Sequence, residues 1–423
     1  MVSIIKKPNT REKLEILSTD AQYDLACACG TQKDGHRKRG TDGKWIYPVT
    51  LPQGGQTVLL KTLISNHCTN DCRYCPLRAQ NDVRRCTLEA EEVAKVFLDY
   101  HRRRKVHGLF LSSGCIASPD ATMDRLNAVA DILRRKHKFK GYIHLKIIPG
   151  SSKAAIEQAV ALATAVSLNI ETPGEENLKK LSTKKDYIRD IIEPIKYISN
   201  LTAKGNKYAG TKQTTQFIVG AAGESDAEIV KYAGALYKRL KLNRIYFSAY
   251  QRGLGDPSLP AEIVEQRQDG TKGVIDPAAP KDWLFPDYPL SGSQGRSRGG
   301  DAPWVRDAEQ RESNDSLTRE HRLYQVDFLM RKYGFDDSEI IFGDNGNLSL
   351  ALDPKEFWAR NHPEFFPVNI NCASRYELLR VPGLGPVSVN RLLKMRSLGR
   401  FARIEDLGRP SKRLTKAAQY LTF

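Results

Sequence analysis

The sequence predicts an α/β protein, an open and partial (β/α)6 barrel followed by a small α-helical domain. From about residue 57 to 250, short apolar runs alternate with helical periodicity, the pattern of βαβ units around a parallel sheet. A Gly-, Pro-, Ser- and Arg-rich stretch then breaks that rhythm between 253 and about 315. From about 367 a capped helix, a tight Gly-Pro turn and a second helix follow in quick succession.

Residues 1–56 read as an N-terminal extension. Its opening MVSIIKKPNT is too short in apolar residues for a signal peptide, and no run in the chain approaches the ~18–20 apolar residues of a membrane span. The expected location is the cytoplasm, where thiols stay reduced and clustered cysteines point to metal or catalytic sites. The barrel, 57–252, has strand candidates at TVLLKTLIS (57–65), GLFLSS (108–113), YIHLKII (142–148), AVSLNIE (165–171), TTQFIVG (214–220) and RIYFSAY (244–250). Between them, Met123, Leu126, Val129, Ala130 and Leu133 form one helical stripe, and Ile156, Ala159, Val160 and Ala163 another. In such barrels chemistry collects at the C-terminal strand ends and the loops after them. The 253–315 stretch reads as a long flexible insertion, because its Gly, Pro and Ser content supplies no core. A helical connector, 316–366, includes LTREHRLYQVDFLMRKYGF, and 367–423 forms the last domain.

The chain is strongly basic, with 66 Lys+Arg against 49 Asp+Glu, net charge +17 and pI near 9.4. That field favours polyanionic partners; a soluble protein with a basic bias is the plainer reading. No amphipathic Lys/Arg helix with an aromatic face argues for anionic lipid.

Directly after the first barrel strand stands HCTNDCRYC (67–75), with Cys68, Cys72 and Cys75. Zinc ribbons use paired knuckles and four ligands. Here three thiols sit close together with no fourth at knuckle spacing, which suits an iron–sulfur cube that leaves one iron open; a structural zinc site remains the alternative. The C-x3-C-x2-C pattern, with aromatic Tyr74 before its last Cys, resembles the signature of the radical S-adenosylmethionine (SAM) superfamily. The resemblance implies a TIM-like partial (β/α)6 radical SAM barrel in which Cys68, Cys72 and Cys75 ligate a 4Fe-4S cluster. Its open iron would chelate SAM, and a reductant such as flavodoxin or ferredoxin would supply the electron.

Further SAM contacts are carried over by position. Ser112, Ser113 and Gly114 follow the second strand, where the family usually has a Gly-rich turn facing the SAM amino group; here that turn departs from the common Gly-Gly-Glu. FIVGAAGES is similar to a family pattern that packs on adenine, with Phe217, Ile218 and Val219 as apolar wall and Gly220 for close approach. Asn169 and Glu171 end the fourth strand, where polar groups toward SAM are common. Cys115 would face the substrate cavity as a hydrogen-atom donor, or be an inert buried thiol. Cys27 and Cys29 would lie near the active site, belong to a second metal site or be buried small residues, and Cys86 and Cys372 are read as structural.

In VNINCASRYELLRVPGLGPVSVNRLLKMRS (368–397), Ser374 and Glu377 form a capping box before a short helix, and VPGLGP turns into a second helix. This resembles a helix-hairpin-helix module with core Val381, Gly383, Leu384 and Gly385. Its two glycines would let backbone N–H groups face a phosphate, with Arg391, Lys394 and Arg396 adding charge. A helical hairpin packed inside the protein is the plainer alternative. Val389 stands where such modules carry a small Ala, and FARIEDLGRPSKRLTKAAQYL looks like a degenerate second copy. Barrel and hairpin together resemble DNA modification/repair radical SAM proteins. That resemblance implies modification or repair of a nucleotide in DNA; structured RNA such as tRNA, or a non-catalytic iron–sulfur redox sensor on DNA, are the alternatives.

Overall fold

The computed structural model describes residues 8–21, 45–50, 55–263, 303–409 and 411–423. Helix α1 (Thr10–Asp20) starts at an Asn9 cap whose side chain accepts from the Glu12 N–H. Strand β1 (Ile46–Thr50) runs antiparallel to β2 (Gln56–Leu63). Helix and strand then alternate through α2 (Ala90–Arg102), β3 (Gly108–Ser112), α3 (Pro119–Asp131), β4 (Tyr142–Lys146), α4 (Lys153–Leu162) and β5 (Ala165–Ser167). They continue through α5 (Glu175–Leu181), α6 (Glu193–Leu201), β6 (Lys212–Val219), α7 (Asp226–Leu240) and β7 (Arg244–Ala249). The sheet has seven strands in the order β1 to β7, and each neighbouring pair from β2 to β7 is parallel.

The parallel strands are those expected from sequence, but β1 is an addition inside the stretch read as an extension. Pro48 concealed it. As an edge strand it tolerates a residue that cannot donate to a ladder.

Two-residue alternation divides the sheet into unlike faces. Leu60, Leu109, Leu111, Ile143, Leu145, Val166, Phe217 and Phe247 join the core formed with Met123, Leu126, Ile156 and Val160 of the covering helices. The opposite, inner face carries buried Lys61, Ser112, His144, Ser167, Thr214, Gln216 and Ser248. The outer face thus holds the half-barrel together, while the inner face mixes these polar groups with the rings of Phe110 and Tyr246.

Helix α8 (Pro303–Phe328) begins inside the stretch read as insertion, so helical order resumes earlier than expected. The rest of that stretch between 264 and 302 lies outside the described residues, as do Cys27 and Cys29. After α9 (Pro354–Arg360), a second core forms around β8 (Val368–Asn369), α10 (Arg375–Arg380), α11 (Pro386–Arg396), α12 (Lys412–Ala418) and β9 (Leu421–Thr422). The Ser374–Glu377 capping box is present at the start of α10. Val389 fits this core without exposure, and β8 pairs in parallel with β9. Fully buried Arg380 ties the terminal core to the connector. Its guanidinium lies 3.6 Å from the Tyr376 ring centroid and 4.0 Å from that of Phe335, and it donates to Glu339 at 2.6 Å. Among the described residues no helix is long and apolar enough to cross a membrane.

Candidate active site

The cysteine loop leaves the C-terminal end of β2 and is fastened on several sides. The Thr69 N–H donates to the Cys115 carbonyl at 2.9 Å, and the Arg73 N–H to the Leu181 carbonyl at 2.8 Å. Asp71 accepts from the Thr183 N–H at 2.9 Å and from the hydroxyls of Ser182 and Thr183 at 2.5 Å each. Burial alone would push the Asp71 carboxyl up, but these hydrogen bonds win and bring it down to about 2. The Arg85 guanidinium donates to the carbonyls of Leu77 and Arg78 at 2.8 Å and of Asn81 at 2.9 Å, as well as to Asn66. Gly114 is required by space: a Cβ there would stand 2.3 Å from the His67 carbonyl oxygen.

Cys72 is buried, and Cys68 and Cys75 are partly so. Burial pushes the Cys75 thiol up to about 12, with Cys72 and Cys68 adding to the rise, so the three sulfurs share one electrostatic environment. Burial also raises Cys72, against the pull of Lys185, which hydrogen-bonds to it. The Lys185 ammonium lies 3.2 Å from Glu171 Oε1, with both side chains almost fully buried. Burial works against its charge, but Cys72 and Glu171 more than compensate and hold it protonated. Asn169 donates to Glu171 Oε2 at 3.3 Å. Tyr74 is raised first by burial and then by Glu171, to which it hydrogen-bonds.

Glu171 holds φ +66°, a left-handed conformation costly for a residue with a Cβ. It is fixed there by Ile218 N–H donating to its carbonyl at 2.7 Å and by its own N–H donating to Gln216 at 3.1 Å. Cysteine loop, β5 exit and β6 therefore meet at one polar knot.

The other expected SAM residues are placed unevenly. Ile218 packs with Leu181, Tyr250 and Tyr74, beside the cysteine loop. Phe217 and Val219 point to the opposite, helix-covered face, and the Phe217 ring stacks on Phe247. A wall of three consecutive strand residues cannot face one ligand, since side chains alternate. Gly220 has φ +90°, its N–H donates to Glu224 at 2.5 Å, and a Cβ there would lie 3.1 Å from Arg319. Its close neighbour is thus α8. Ser112 is buried at the end of β3, while the Ser113 hydroxyl turns back to the Gly114 carbonyl at 2.7 Å. Cys115 is packed in the main core, its thiol hydrogen-bonded to Thr69 and Thr122 and raised by burial.

In the terminal hairpin Val381 and Leu384 are core residues. Gly383 has φ +87°, and a Cβ there would stand 2.2 Å from the Arg413 carbonyl, so this glycine lets the hairpin meet α12. Gly385 caps α11. Arg391 and Lys394 are exposed, but Arg396 is committed inward, donating to the Ala373 carbonyl at 2.6 Å.

Residues 62–236 match the family model of the Radical SAM superfamily. These residues form a radical SAM domain. Similar solved structures include the FeFe-hydrogenase maturase HydG from Carboxydothermus hydrogenoformans, at 16% identity, TM-score 0.38, covering 47% of this chain and 46% of that one. Methylornithine synthase (PylB) matches at 14% identity and TM-score 0.39, covering 51% of this chain and 59% of that one. SuiB from Streptococcus suis, solved bound to S-adenosylmethionine, matches at 15% identity and TM-score 0.33, covering 46% and 39%. The match to HydG thus spans about half the length of that protein. No curated protein matches the chain.

Radical SAM domains use a 4Fe-4S cluster and S-adenosylmethionine. The donor set here fits: three thiols on one fastened loop, buried or partly so, with an ammonium beside Cys72. Among the described residues no group of three or more His, Cys, Asp or Glu is arranged to hold a single metal ion. A cluster distributes its cysteine ligands over separate irons, and so asks for a wider set. Burial opposes free thiolates, and iron, which deprotonates the thiols it coordinates, would offset that cost when bound.

Sequence reasoning missed Lys185, Asp71 and Arg85. Asp71 lies inside the cysteine motif and was legible as a loop anchor. Lys185, in the KK pair after α5, carried no local sign of being buried.

Proposed function

We propose that this chain is a radical SAM enzyme that modifies or repairs a nucleotide in DNA. When bound, the reduced cluster supplies the electron that divides SAM into methionine and a 5′-deoxyadenosyl radical, and a flavodoxin or ferredoxin is the class of donor that would recharge it. The observation that carries the radical assignment is the knot of Cys72, Lys185, Glu171 and Tyr74, which binds the cysteine loop to the ends of β5 and β6. Lys185 neutralises charge beside Cys72, Glu171 and Asn169 offer polar groups at the strand ends, and Ile218 with Tyr250 gives an apolar surface next to Tyr74.

The DNA assignment rests on different residues. The glycine turn before α11, exposed Arg391 and Lys394, and the net charge of +17 support contacts to a phosphate backbone. A base stacked in a duplex cannot reach the inner face of the sheet, so the substrate nucleotide is unpaired or flipped, at a cost of a few kcal/mol. The polar inner residues His144, Ser167, Asn169, Thr214 and Gln216 line a small cavity there.

The test is anaerobic reconstitution with iron, sulfide, reductant and SAM, with DNA and RNA offered in parallel. The expected result is 5′-deoxyadenosine together with a changed nucleoside by mass spectrometry of the DNA digest. Change in the RNA digest alone would move the substrate to RNA. SAM cleavage with neither polymer altered under any condition would defeat the nucleic-acid reading.

A further inference from the structure

Lys355, on α9, is buried beneath the terminal hairpin, with 7% of its surface exposed. Its Nζ donates to the Leu384 carbonyl at 2.6 Å, in the turn immediately before the Gly385 cap of α11, and lies 4.7 Å from the centroid of the Tyr333 ring. The Tyr333 hydroxyl in turn borders Gly385, 3.2 Å from where a Cβ would stand.

What this ammonium lacks is an anion. Among the described residues no carboxylate is within ion-pair distance of it. Asp353 attracts it from further off but is paired with Lys416 at 3.6 Å. Glu356 is held by Lys416 and by Arg360 at 2.8 Å. Arg380, also facing it, repels it. Buried charges are ordinarily paired, because desolvating a lone one is costly. The neutral partners here, a carbonyl and an aromatic face, offset only part of that cost.

We propose that Lys355 is the buried charge of a phosphate site at this hairpin, positioned by the Leu384 carbonyl so that a nucleic-acid phosphate docking at the Gly385 turn supplies its missing counter-charge. The inference rests on the nucleic-acid reading above and adds to it a positioning residue and a pH dependence. An approaching phosphate favours the ammonium over the amine, so binding and protonation reinforce one another.

The direction follows from the group's own titration. Burial brings the free protein's Lys355 down to about 7, against the smaller upward pull of Asp353. Below that pH the ammonium is present before binding and the phosphate meets full charge. Above it, binding must first draw a proton, and affinity falls until the pH passes the value of the bound form. A rise of one pH unit on binding corresponds to an affinity about tenfold weaker on the alkaline side. Backbone phosphates do not titrate in this window. The nearby imidazole is that of His362, whose ring stacks on Trp358 with centroids 4.2 Å apart.

The experiment measures binding of a labelled single-stranded DNA oligonucleotide to the full chain from pH 6 to 9 at constant ionic strength. Wild type should lose about tenfold in affinity across that range. Lys355→Met should be flat, and at pH 6 should bind as weakly as wild type does at pH 9. Lys355→Arg, charged throughout, should be flat at the stronger level, and His362→Gln should keep the wild-type profile. Thermal melting checks each fold; if Lys355→Met is unfolded, the wild-type, Lys355→Arg and His362→Gln profiles decide. Binding with a flat wild-type profile, or a profile abolished by His362→Gln, overturns the role of Lys355 and leaves the nucleic-acid reading standing. No binding at pH 6 overturns both.

Discussion

Lys185 and Glu171 form an ion pair at 3.2 Å with 6% and 5% of their side chains exposed, and the same ammonium reaches Cys72. One buried cation thus serves two partners, a carboxylate and a thiol, from different segments of the chain. Removing it strands Glu171 without a counter-ion. Lys185→Met should lower the unfolding free energy by roughly 3–5 kcal/mol, the usual cost of breaking a buried pair from one side. The double variant Lys185→Met/Glu171→Leu should recover most of that in denaturant titrations. Equal loss in single and double variants would mean that the pair contributes little.

Replacing Cys68, Cys72 and Cys75 together by Ala should abolish iron binding. Reconstituted wild type should hold about four irons per chain and change its cluster spectrum when SAM is added. Zinc without iron, in protein made under iron-replete anaerobic conditions, would sink the radical assignment.

Gly114→Ala probes the fit between β3 and the cysteine loop. The added Cβ would stand 2.3 Å from the His67 carbonyl oxygen, so backbone must move. The expected cost is about 1–3 kcal/mol with reduced iron occupancy after reconstitution. Unchanged stability and full occupancy would show that the loop accommodates the methyl freely.

Arg391 and Lys394 are exposed on α11. If each neutralises one phosphate, Arg391→Ala/Lys394→Ala should reduce the log–log salt slope of duplex binding by about 1.8, at about 0.9 per contact. The loss should be similar for unrelated sequences. An unchanged slope would remove these residues from the interface.

Lys355 also predicts a stability effect independent of any ligand. Its folded-state value of about 7 lies below the ordinary 10.5, so the unfolded chain binds more protons between those limits. Wild-type stability should therefore gain from this group as pH rises from 7 toward 10 and bear its full penalty below 7. Lys355→Met should raise the unfolding free energy at pH 6 by roughly 2–4 kcal/mol. A less stable variant would mean that the bond to Leu384 outweighs desolvation.

The parallel strands and the cysteine loop were legible because both are local: a buried strand is a short apolar run, and C-x3-C-x2-C lies within nine residues. The first strand was not, since Pro48 argues against a strand unless its edge position is known. The orientation of 217–219 required assigning an inner and an outer face, which an unbroken apolar run conceals. Arg396 read as one basic residue among several, yet its donors are used by carbonyls at 370 and 373, a pairing across more than twenty residues that sequence proximity cannot reveal.

Arg380, held between Tyr376, Phe335 and Glu339, is followed along the chain of contacts by Asp336, which receives Lys238 of α7 at 2.7 Å. Terminal core, connector and half-barrel are thereby bolted in series. Under the proposed function this bolt acts as a ruler: a strand gripped at the hairpin is presented to the barrel at a set offset, so the altered nucleotide would be chosen by its count from the grip. Loosening the bolt with Arg380→Ala would then blur which position along the strand is modified.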